Sequence, residues 1–79
     1  MYSVEAFYGT DGNGHGRGFA EGIKTSDWSN VETTAHDMVS HGYYVEITNT
    51  ETGKQVQLDY DAYFENFNGE FPYKPSDLA

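Results

Sequence analysis

This chain contains no cysteine, only two prolines, only four basic side chains and no apolar run longer than three residues. Each scarcity excludes something. Without cysteine there is no disulfide framework to hold a small fold together, so its stability has to come from packing, and an intracellular setting is expected. Without an apolar run there is no candidate transmembrane segment, and Met1-Tyr2-Ser3-Val4-Glu5 has neither the basic start nor the apolar stretch of a secretion signal. Four bases against thirteen acids leave a formal net charge of −9 and a pI near 4.3. Such a surface repels nucleic-acid phosphate and anionic lipid, so direct DNA, RNA or membrane binding is disfavoured and a cationic protein partner is expected.

What the chain does have is aromatic residues: seven Tyr, five Phe and Trp28 among 79 residues, far more than an acidic disordered segment carries and enough for a small core. That length allows one domain, which buries roughly 60% of its unfolded surface and leaves little depth for an enclosed cleft.

Tyr2, Val4, Ala6 and Tyr8 alternate with Ser3, Glu5 and Phe7, the period-two pattern of a half-buried strand. Six glycines follow between Gly9 and Gly22, with Asp11-Gly12 and Asn13-Gly14 as hairpin-turn pairs. Phe19, Glu21 and Ile23 then alternate with Ala20, Gly22 and Lys24 in a weak second strand, where Gly22 marks a bulge or a close backbone approach.

Ser29-Asn30-Val31-Glu32 fits a capping box, with Asp27 also suited to a helix start, and predicts a helix from Ser29 to His41. Its apolar stripe is Val31, Ala35, Met38 and Val39, and Gly42 stands where a left-handed cap belongs. Tyr43, Val45 and Ile47, then Val56 and Leu58, give a hairpin from Tyr43 to Asp59 around Asn49 to Gly53. Tyr60, Tyr63, Phe64 and Phe67 recur at helical spacing, with Asp59 or Asp61 as cap and Asn68-Gly69 as stop. The expectation is α+β: a small antiparallel sheet of two hairpins on one main helix, with a short C-terminal aromatic helix. Residues 1–69 form the single domain and 70–79 an extended tail, unless Phe71 and Tyr73 dock on the body. The expected core is Val4, Ala6, Phe19, Ile23, Val31, Ala35, Met38, Val45, Ile47, Val56, Leu58 and Phe64.

No residue set predicts catalysis, a cofactor or a metal. The glycine run lacks the terminal Lys-Ser/Thr of a phosphate loop and no capped helix follows it directly, so it reads as a flexible hairpin tip or as a loop, carrying His15 and Arg17, that orders on a partner. His36 and His41 are five residues apart and fall on different helix faces, without the spacing of a helical zinc site. Ser26, Ser29 and the histidines lack an elbow or oxyanion loop, and Asp59 and Asp61 read as helix caps.

Charge is the better signal. Glu46, Glu51, Asp59, Asp61, Glu65 and Glu70 lie in the second half with only Lys54 and Lys74 among them, and Asp61 and Glu65 stand i, i+4 apart, away from the aromatic stripe. The plain reading is a solvated acidic surface. The sharper one is a face that imitates nucleic-acid phosphates and docks into a basic groove, with Tyr60 and Tyr63 adding flat contact area. A third is an interaction module anchored by the aromatic segment Tyr63 to Tyr73, its charge serving only solubility.

In length, acidity, lack of cysteine and this strand, helix and hairpin order, with acids interleaved among aromatics, the chain resembles the small anti-defence proteins of phages and mobile elements, the anti-CRISPR and antirestriction type. The resemblance implies an inhibitor that occupies the basic surface of a nucleic-acid-processing effector, such as a Cas complex, in the host cytoplasm, with no turnover or cofactor. The expected partner-binding residues are Glu46, Glu51, Asp59, Tyr60, Asp61, Tyr63, Glu65 and Glu70. Homodimerisation through a sheet edge is compatible with a domain of this size.

Overall fold

A computed structural model describes all 79 residues. It is α+β, in the chain order β1 (Tyr2–Thr10), β2 (Gly16–Thr25), α1 (Trp28–Ser40), β3 (Tyr44–Asn49), β4 (Gln55–Leu58), α2 (Tyr60–Asn66) and a terminal 3₁₀ turn (Pro75–Leu78). The strands form one antiparallel sheet in the order β2-β1-β3-β4, so the first strand of each hairpin lies in the centre.

Register explains the core. Val4 pairs with Ile47 and Ala6 with Val45, while Val45 and Ile47 pair in turn with Leu58 and Val56, which puts all six on one face. On that face α1 lays down Val31, Ala35, Met38 and Val39, and all four are buried.

The helix is capped by Asp27, not Ser29: the Asp27 carboxylate accepts the Ser29 N–H at 3.0 Å, and Ser29 lies inside the first turn. Its end follows the expected glycine cap, with Gly42 at φ 91°, Gly42 N–H donating to Val39 O and Tyr43 N–H to Met38 O.

Two expectations for the first hairpin are corrected. The second strand begins at Gly16, and its irregularity lies at Ala20: Phe7 pairs with Phe19 and Ala6 with Glu21, leaving Ala20 as the extra residue. That extra residue inverts the alternation, so Phe19 leaves the core face, stacks edge-on with Phe7 at 5.9 Å and is 57% exposed. Gly22 is a site of close approach, since a side chain there would meet the Phe19 ring and Val4 O at 3.3 Å. Ile23, Val56 and Phe64 are half-buried against the core, while Val39, Tyr63 and Leu78 are fully part of it.

Residues 70–79 are not simply extended. Phe71 stacks on Trp28 at 5.8 Å, Tyr73 Oη donates to Gln57 O at 2.9 Å, and the buried Leu78 offers its carbonyl to Asn49 Nδ2 and Thr52 Oγ1. The segment therefore docks through apolar contacts and closes the β4 side of the sheet.

Candidate binding surface

The face of the sheet opposite α1 carries Glu5, Phe7, Tyr44 and Glu46. β1 and β2 overhang β3, whose last partner on β1 is Phe7, opposite Tyr44. The overhang curls back onto this face, with Gly16 packed against the Phe7 ring and Tyr44 Oη donating to Gly14 O at 2.7 Å. Glu46 lies beneath the curl. Its carboxylate accepts the Gly16 N–H at 2.7 Å and is 7% exposed. Glu46 is thus a structural carboxylate holding the hairpin tip and offers no partner surface, which corrects its expected role.

At the tip itself, Asp11 accepts the N–H groups of Asn13 and His15, with Gly12 and Gly14 both at positive φ. The hydrogen bond donated by the Asn13 N–H holds the Asp11 carboxyl below the usual range, against the opposing effect of desolvation.

Around α2 the arrangement differs. Asp59 occupies the N-cap position without a side-chain cap bond, and the helix ends where Asn68 and Gly69 take positive φ and Gly69 N–H donates to Tyr63 O. Only Tyr63 of the aromatic stripe is fully buried. Its hydroxyl meets His36 Nδ1 at 2.8 Å, and burial, reinforced by the Glu32 charge, pushes the phenol upward. Tyr63 at 1% exposure is a core residue, so it too leaves the expected contact set. Tyr60 and Phe67, by contrast, are 47% and 42% exposed.

Asp59, Asp61, Glu65 and Glu70 are exposed, and none of their carboxylates accepts a hydrogen bond or pairs with a base in the chain. Indeed no Lys or Arg side chain forms an ion pair; the sole pair joins the Met1 ammonium to Glu51 at 3.5 Å. Glu51 sits in the β3–β4 turn, at the other end of β4 from α2. The structure therefore gathers Asp59, Tyr60, Asp61, Glu65 and Glu70 around α2, sets Glu51 apart, and buries Glu46 and Tyr63.

His15 stands at the hairpin tip, His36 against Tyr63, and His41 at the end of α1, where its Nδ1 lies 2.6 Å from Asp37 O. No group of three or more His, Asp or Glu side chains converges as a metal-binding set. The surface has three shallow depressions, the largest, about 300 Å³, lying between α1 and the segment after α2 beside His36 and Phe71. No helix is long and apolar enough to cross a membrane. No protein-family model, curated protein or solved structure matches the chain.

Proposed function

We propose that this protein is a small acidic binding inhibitor of the anti-CRISPR-like kind, which docks the carboxylates around α2 onto the basic groove of a nucleic-acid-processing defence effector. The observation that carries this reading is the absence of any Lys or Arg ion pair in a chain of net charge −9. Asp59, Asp61, Glu65 and Glu70 are already solvated and unpaired, so a basic groove meets them without first breaking internal bonds. Their like-charge repulsion costs a few tenths of a kcal/mol per i, i+4 pair, which a cationic partner relieves. Tyr60 and Phe67 lie among them as exposed rings suited to the centre of such a contact.

The same exposed rings favour a second reading, a module anchored by its aromatics with charge serving only solubility. Phe71 does not serve that anchor, because its ring is held against Trp28, so Tyr60 and Phe67 carry it.

Capture from a bacterial lysate containing defence nucleases, followed by a salt gradient and then added DNA or RNA, separates the two. A nucleic-acid-binding effector that elutes steeply with salt and is displaced by nucleic acid supports the inhibitor. A partner retained at high salt and lost on Phe67→Ala supports the aromatic anchor.

A further inference from the structure

We propose that two copies of this chain join through β2, antiparallel about a two-fold axis at Ile23, and continue the sheet from four strands to eight. The inference is independent of any effector. It starts from the difference between the two sheet edges. The β4 edge is covered by Tyr73 and the 3₁₀ turn. The β2 edge is bare: apart from the ladder to β1 and the Gly16 N–H given to Glu46, the backbone of Gly16–Thr25 makes no hydrogen bond in the chain. A row of free N–H and C=O groups is matched by one kind of occupant, an extended strand.

Charge and shape select a second copy as that strand. The stretch that pairs about Ile23, Glu21 to Thr25, holds Lys24 beside Glu21 and has no net charge, and Arg17 lies further along the same strand, so two molecules of net charge −9 meet here with little repulsion. On the open face, Gly22 pairs with Glu5 and Lys24 with Ser3. The Phe19 ring packs against Gly22, and beside the two lies a shallow hollow of about 230 Å³ that Ser3, Glu5 and Lys24 also line. With the axis at Ile23, Gly22 of one copy stands opposite Lys24 of the other.

Adjacent strands are about 4.8 Å apart, so the incoming Lys24 side chain enters the hollow alongside the Phe19 ring and brings its ammonium toward Glu5 on the next strand. Symmetry makes this pair twice. Lys24 has no acidic partner within its own chain, and a lysine on an edge ordinarily deters pairing; across the two-fold it finds a carboxylate. On the helix side the half-buried Ile23, already packed against the core, meets its mate and extends the apolar layer.

Sedimentation velocity from micromolar to millimolar protein tests the pairing with two positions outside the core, the exposed Lys24 and the half-buried Glu5 on the open face of the sheet. The parent chain is expected to dimerise with concentration. Lys24→Glu is expected to weaken the dimer by roughly tenfold or more, the scale of one lost charge pair repeated across the axis. Glu5→Lys should weaken it as well, although it lowers the net charge and so reduces general repulsion. The double variant Lys24→Glu/Glu5→Lys has the parent's net charge and should recover the parent's affinity. Circular dichroism of each variant checks that the fold is kept. A parent that stays monomeric to about 1 mM, where association is worth less than roughly 4 kcal/mol, overturns the proposal. So does a dimer that the single variants leave unchanged, or one that the double variant fails to recover.

Discussion

Glu46 and Glu65 are the same residue type in the same half of the chain, and the fold uses them in opposite ways. Glu46 is buried beneath the first hairpin with its carboxylate on the Gly16 amide, while Glu65 stands exposed on α2 without a partner. α2 repeats the contrast across its own width, with Tyr63 sealed against His36 and Asp61 and Glu65 facing solvent. The lesson is that net charge alone does not define a binding face. A carboxylate committed to a backbone amide is part of the architecture, and only the uncommitted ones can meet a partner.

The largest effect that sharpens this contrast lies on the inner side of α2. Tyr63→Ala removes a fully buried ring and is expected to cost about 3–5 kcal/mol in chemical denaturation, while Tyr63→Phe loses only the hydroxyl bond to His36, about 1 kcal/mol. A small effect of Tyr63→Ala would place α2 outside the cooperative core. Next comes Glu46→Ala, which leaves the Gly16 N–H without its acceptor and is expected to cost about 1–3 kcal/mol. Amide exchange at Gly16 should quicken, and Glu46→Gln, which keeps an acceptor oxygen, should be milder. Equal stability of Glu46→Ala and the parent would erase the distinction between the two kinds of carboxylate.

A further contrast appears at alkaline pH. Burial is the leading reason that the phenols of Tyr44, Tyr63 and Tyr73 are raised, with the charges of Glu46, Glu32 and Asp77 respectively adding to it. Since the folded state disfavours the phenolate, their contribution to stability is complete below the ordinary tyrosine value of about 10 and is lost as pH rises through the raised folded values. Denaturation midpoints should therefore fall above about pH 10, and Tyr63→Phe should make that fall shallower.

Much of this fold could be read from local pattern. The stripe from Val31 to Val39, the Gly42 cap and the alternation across β3 and β4 are each set within a few residues by periodicity and backbone chirality. What escaped the sequence depends on distant chain. Asp27 and Ser29 are both good caps, and the path of the chain leaving β2 decides between them. One extra residue at Ala20 moved Phe19 to the other face, an inversion that alternation cannot announce. Leu78 enters the core from a segment without periodicity, and Glu46 is buried by a hairpin tip thirty residues upstream. The candidate surface was legible to the same degree: Asp59, Asp61, Glu65 and Glu70 remain exposed, whereas Glu46 and Tyr63 were claimed by tertiary contacts.

The smallest effect on stability and the largest on function are expected from one variant, Asp61→Lys/Glu65→Lys. Its titration against the captured effector over a range of ionic strength shows whether these two carboxylates make the contact. The expected result is a folding free energy within a few tenths of a kcal/mol of the parent, together with a marked loss of affinity and a shallower salt dependence. Affinity equal to the parent's at every salt concentration would mean that the carboxylates of α2 take no part in binding.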